Sequence, residues 1–442
     1  MPAGLLQLSM RGEQDKYLNI RPEFSMFKTM YKKHSGFAIE THELYFNSTS
    51  FGSKSVCNIL KDADLLSDIT LRIQLPSLNV KSLMKTTNIC VKDVDMTCFC
   101  DKCSKKTSDT VFGWANSIGH LLTEESSFHV GSKELDKKTG EWMEWWSEVA
   151  QPSEKKLGYW EMIGKREPSS FKPSTFSDSM ELLIPLNFFF TGKPGHAFPL
   201  IAIDESNISV EIKWRDFIDC WISNKMGVEP GIMPNFKASL LVDYIFLDNF
   251  ERNKFKNENH LYLIEQVQRN IPSYYTHLTS LPVVDLVFTQ PVKSIYWAIQ
   301  RQDINQRSTP EDPDPTFGND WFNYACYKTR YKNIIKDPFK EGNLILNGEE
   351  RMPSMPAIVY RLLQSYKHHT KTPSNYIYQY NFGFKPEENQ PTGTCNMSMY
   401  NKIRLKLSMC QNYPADYNII VYALSYNFLI IENRKVSLAF VI

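Results

Sequence analysis

The sequence predicts an all-β fold built as two consecutive antiparallel sandwiches, and three observations carry that prediction. Several stretches alternate apolar and polar residues with period two, as strands with one buried face do. Gly and Pro, 19 and 24 of them, punctuate all 442 residues as the turns of a many-stranded protein require. Gly227, Pro230, Gly231 and Pro234 cluster near the middle, leaving two near-equal halves, each long enough for an eight-stranded sandwich.

The elements follow in chain order. Ile69, Leu71, Ile73 and Leu75 alternate with Thr70, Arg72 and Gln74; Ile208, Val210, Ile212 and Trp214 alternate with Ser209, Glu211 and Lys213; and Ile403, Leu405, Leu407 and Met409 alternate with Arg404, Lys406 and Ser408. Each reads as a strand with one packed and one solvated face. Leu182 to Leu186, Leu240 to Leu247 and Val283 to Phe288 are apolar on both faces, which predicts strands covered on both sides. One region is helical. Trp142, Trp145, Trp146 and Val149 recur at i, i+3, i+4 and i+7, with Thr139 as N-cap and Glu141 in the first turn. A second short helix runs from Ser153 to Met162. An aromatic stripe at this spacing is expected to be core. Two long polar insertions, Ser82 to Thr110 and Gln300 to Asn347, read as loops, and loops of that length are usually functional.

Composition removes several function classes. Fifty Lys and Arg against 49 Asp and Glu leave a formal charge of +1, without the basic excess that direct nucleic-acid binding draws on. The N-terminus lacks the basic and apolar regions of a signal peptide. The most apolar long stretch, Asn418 to Ile431, is too short and too polar for a transmembrane segment. Nine Cys with no export signal read as reduced thiols. Cys90, Cys98, Cys100 and Cys103 stand close enough to supply four thiolates to a structural zinc that would staple a loop. Their spacing is irregular, so free thiols or a disulfide are the competing reading. Glu311, Asp312, Asp314 and Asp320 lack the carboxylate order of a calcium loop, and His368-His369 reads as a surface pair. No nucleophile elbow, phosphate-binding loop, dinucleotide fingerprint or zinc-protease helix is present, so no catalytic site is expected.

Particular segments resemble a known family. Gly4-Leu5-Leu6-Gln7-Leu8, Gly12 to Leu18 and Phe27-Lys28-Thr29-Met30-Tyr31-Lys32-Lys33-His34 open the likeness. Phe112-Gly113-Trp114-Ala115-Asn116-Ser117-Ile118-Gly119-His120, Pro185-Leu186-Asn187-Phe188-Phe189-Phe190 and Val242 to Asp248 continue it, and Asn381-Phe382-Gly383-Phe384 and Gln390 to Asn396 close it. In this order they are similar to the major capsid proteins of nucleocytoplasmic large DNA viruses.

That resemblance implies a double jelly roll, with an N-terminal arm over 1–24, a first jelly roll over 25–226 and a second over 235–442. It implies a structural capsid protein, the major one of its shell, and not an enzyme: a homotrimer forming pseudo-hexagonal capsomers of an icosahedral shell, made in the host cytoplasm and resident in the virion. Neighbouring capsomers and minor capsid proteins are the implied partners, with the arm reaching minor proteins or the inner-membrane side. A minor capsid protein or assembly scaffold on the same fold is the alternative. A jelly-roll glycan-binding protein or glycosidase is the reading from another class, and it would need paired carboxylates facing an aromatic groove.

Overall fold

The computed structural model describes residues 2–10, 12–15, 19, 21–78, 112–166, 179–204, 207–223, 233–306, 317–326, 337–411 and 413–440. The chain divides into two units, Met1–Phe37 and Ala38–Ile442. In the first, a short helix, Ala3–Ser9, buries none of its residues. Residues 21–36 form neither helix nor strand, and Phe24, Met26, Phe27, Met30 and Tyr31 are 62–99% exposed.

The second unit carries one strand plan twice. Its first eight sandwich strands are β1 (Phe37–Tyr45), β2 (Lys54–Asn58), β3 (Leu65–Leu75), β4 (Thr123–Val130), β5 (Lys133–Thr139), β6 (Met180–Pro185), β7 (Ile208–Trp214) and β8 (Lys237–Leu247). They form two four-stranded sheets, β1-β8-β3-β6 and β2-β7-β4-β5. The next eight are β9 (His260–Arg269), β10 (Val283–Leu286), β11 (Pro291–Arg301), β12 (Phe339–Leu346), β13 (Glu349–Glu350), β14 (Tyr378–Asn381), β15 (Ile403–Met409) and β16 (Tyr417–Glu432). Their sheets run β9-β16-β11-β14 and β10-β15-β12-β13, the first plan with eight added to every strand number. First and last strands are neighbours in one sheet, second and seventh in the other. That interleaving is the jelly roll, so the chain is a double jelly roll.

The alternating segments take the places their period requires. Leu71, Ile73, Val210 and Ile212 are at most 1% exposed and face one another across the first sandwich. Leu405 and Leu407 pack with Ile295 and Trp297 in the second. Each such side chain contributes about 1.5–3 kcal/mol through burial. β12 turns into β13 at Asn347-Gly348, both with positive φ, the pair a tight two-residue hairpin favours.

Three sequence expectations need correction. The Gly/Pro cluster does not mark the change of sandwich, because β8, placed in the second jelly roll by the expected boundary at 226–235, pairs along its length with β3. The change-over comes after Leu247. The expected insertion at 300–347 contains β12, which pairs with β15 in the middle of a sheet. Val283 to Phe288 is not covered on both sides: β10 is a sheet edge, with Val283 40% and Val287 81% exposed. The strands that are covered on both faces are β11 and β16.

Candidate assembly site

β11 and β16 lie between two packing layers. Trp297, Ile299, Ile419 and Val421 face their own sandwich, while Tyr296, Ala298, Ile420 and Tyr422 join the core of the first. What covers this outer face is the helix that follows β5, α1 (Gly140–Ala150). Its start is set by Thr139, whose hydroxyl accepts a hydrogen bond from Trp142 N at 3.2 Å. A side chain at Gly140 would strike the His120 and Thr123 carbonyls, so glycine lets the helix turn directly off the strand.

The tryptophan stripe then meets the second sandwich. Trp142 stands edge-on to Tyr296 at 5.2 Å, and Trp145 to Tyr422 at 5.1 Å. The Trp145 indole N–H also donates to the Tyr324 hydroxyl at 2.8 Å. Such edge-to-face pairs add about 0.5–1.5 kcal/mol each beyond their burial. Polar groups stitch the rim. Tyr422 OH donates to Glu141 at 2.9 Å, Gln266 donates to the Leu135 carbonyl at 2.7 Å, and Lys133 to the Val436 carbonyl at 2.6 Å. Burial raises the Glu141 carboxyl, against the attraction of Arg269 at 3.2 Å.

Beneath the stripe lies a closed charged cluster. Lys165 donates to Glu144 at 2.7 Å and to Glu148. Glu144 also accepts from Ser117 at 3.2 Å and contacts His120 at 2.8 Å; His120 in turn meets Tyr159 OH at 3.0 Å. Glu148 reaches across the seam, accepting from the Ser374 N–H at 2.9 Å and its hydroxyl at 2.5 Å, beside the Lys371 N–H to Val149 O bond of 3.0 Å. Burial pushes both carboxyls up. The Lys165 ammonium overrides it, holding Glu144 well below the usual carboxylate range and Glu148 at about 2. The same two carboxylates hold the Lys165 ammonium above its ordinary value, against burial. Lys165, Glu144, Glu148 and His120 are at most 8% exposed. Buried and with its carboxylates bonded on both sides, this cluster acts as a bolt between the sandwiches.

The sequence located the stripe as core but not what it packs against. The bolt was missed, although Glu144 and Glu148 stand at i, i+4, a like-charge spacing that signals a buried or nearby cation. His369, expected at the surface, has a fully buried side chain that meets Glu387 at 2.8 Å and Tyr296 OH at 3.3 Å. It sits there because the 364–368 helix turns it inward under Trp146. Among the described residues no group of three or more His, Cys, Asp or Glu is placed to hold a metal. Cys90, Cys98, Cys100 and Cys103 lie outside the described residues, as do Glu311, Asp312 and Asp314. No described helix is long and apolar enough to cross a membrane.

Two strand plans joined through one helix invite comparison with known proteins. The chain is 28% identical to the "Major capsid protein" of Pyramimonas orientalis virus across the whole of both chains. It is 25% identical to that of Paramecium bursaria Chlorella virus 1, over 92% of this chain and 87% of the relative. A solved structure of the latter virus's VP54 superposes with a TM-score of 0.74, at 21% identity over 95% of this chain and all of that one, which shows a shared fold. The Faustovirus major capsid protein gives 0.71 at 13% identity, over 93% of each chain. Residues 25–248 match the family described as "Major capsid protein N-terminus", and residues 251–435 match "Large eukaryotic DNA virus major capsid protein". The two matches meet where β8 ends, at the change of sandwich seen in the sheets. The chain therefore belongs to the major capsid protein family of large eukaryotic DNA viruses.

Proposed function

We propose that this protein is a shell subunit of such a virus, acting as a trimer whose six sandwiches form a pseudo-hexagonal capsomer. The observation that carries the reading is the repeated strand plan joined by a bolted seam. Two like sandwiches held at one angle behave as two successive members of a ring, so few copies are needed to close it. A formal charge of +1 in 442 residues lets many copies crowd together without long-range repulsion. Made in the host cytoplasm, the trimer would take its place in the virion among neighbouring capsomers and minor capsid proteins. The exposed Leu5, Leu6, Leu8, Met10 and Phe24 support the N-terminal arm over 1–24 as the part that meets minor proteins or the inner-membrane side. Light scattering on the purified chain tests the trimer. The expected species has three times the 51.4 kDa chain mass; a clean monomer across the micromolar range contradicts a self-standing capsomer.

A further inference from the structure

The internal repeat shows how one sandwich grips the next. Within the chain, the helix after the fifth strand of the first sandwich, α1, covers the outer face of the sheet that holds the first and last strands of the second, β9-β16-β11-β14. The second sandwich has a helical run in the corresponding place, over 357–368, after its own fifth and before its sixth strand. Ala357 and Tyr360 are its inward face. Its other side shows Ile358 at 52%, Leu363 at 42% and Tyr366 at 81% exposure, with Leu362 half-buried between them. The helix widens to a π-turn over Val359–Leu363, a distortion often kept where a helix makes contacts.

The surface that corresponds to the covered sheet is the outer face of β1-β8-β3-β6. Ile39 and Tyr45 are 58% and 71% exposed there, and Leu183 and Leu241 are half-buried. Around them lies an ion-paired patch. Arg72 bonds Glu181 and, at 3.0 Å, Glu43, which also accepts from Ser239 at 2.6 Å; Thr41 donates to Asp243 at 2.5 Å. Three carboxylates stand against one arginine, and the helical run carries an exposed Lys367 beside Tyr366.

We propose that the Ile358/Leu363/Tyr366 face of one copy seats on the β1-β8-β3-β6 outer face of a second copy, repeating between chains the contact α1 makes within one. The inference rests on the trimer reading and adds the surfaces that make it. Such a contact is head-to-tail, and three chains close into a ring when the intrachain and interchain rotations together make a third of a turn. The chemical difference between the two contacts fits their histories. The intrachain seam forms during folding and can bury a broad aromatic stripe together with a closed charged cluster. The interchain one must leave each free copy soluble, so it mixes isolated apolar side chains with ion pairs.

Tyr366→Glu on the helix, which sets a like charge against the carboxylates, and Ile39→Lys on the sheet test the assignment, with light scattering over a dilution series as the readout. Both side chains are exposed, so circular dichroism and melting temperature should match the wild type; Tyr366→Ser serves as a milder second variant. Each charged variant is expected to raise the concentration at which the trimer dissociates by about tenfold or more, as loss of an interface anchor does. A trimeric wild type with either charged variant equally trimeric overturns this assignment and leaves the trimer reading standing. A wild type that never trimerises removes both.

Discussion

Lys165→Met is expected to lower the stability of the protein by about 3–5 kcal/mol at neutral pH, because it leaves two buried carboxylates without their shared cation. Lys165 touches both Glu144 and Glu148, and Glu148 is the group that holds Ser374 of the second sandwich. Its loss therefore both strains the first sandwich and loosens the seam. The pH profile separates this account from a plain packing defect. In the wild type both carboxyls sit below their ordinary value of 4.5, so their contribution is present above pH 4.5 and is lost as pH falls toward about 2, where Glu148 takes its proton. In the variant, burial without the ammonium raises both carboxyls, so protonation relieves the fault. The variant should gain stability between pH 7 and about 4.5, while the wild type gains none from this cluster over that range. Urea unfolding at three pH values checks the sign. A loss that is the same at every pH would mean that Lys165 acts through volume alone.

Trp145→Ala should cost a similar amount, about 3–5 kcal/mol, for a different reason. Trp145 is 1% exposed and wedged between Tyr422 and Tyr324, both from the second sandwich. Truncation opens a cavity in the seam and removes the indole donor from the Tyr324 hydroxyl. A shift of about 2–4 °C per kcal/mol, the range for domains of 150–250 residues, puts the drop in melting temperature on the order of 10 °C. Trp145→Phe keeps most of the volume and should lose only about 1–2 kcal/mol, mainly for the missing hydrogen bond. Unlike Lys165→Met, neither change should show the inverted acid dependence. Equal melting temperatures for Trp145→Ala and wild type would mean that the seam contributes little to stability.

How far these features were legible in the sequence depends on how local their causes are. Ile208 to Trp214 and Ile403 to Met409 announce themselves because one face of each is wet and the period is visible within seven residues. α1 does too, since its stripe and its Thr139 cap lie within eleven positions. β12 was hidden. It begins Phe-Lys-Glu-Gly, and Gly342 is there because a side chain would strike Leu407 of the neighbouring strand, a cause 65 positions away. The assignment of β8 to the first sandwich is likewise written in its pairing with Leu65–Leu75, far upstream, while the nearby Gly/Pro cluster misdirects. The bolt needs Lys165, Glu148 and Ser374 together, and no window of sequence holds all three.

In the proposed capsomer the two sandwiches of one chain are neighbouring members of a six-membered ring. Averaged electron micrographs of the purified wild-type particle, viewed down its symmetry axis, test it most directly. The expected average shows six similar lobes with threefold symmetry, alternate lobes being the first and second sandwiches of three chains. A two-lobed particle, or a ring with twofold symmetry, would contradict it.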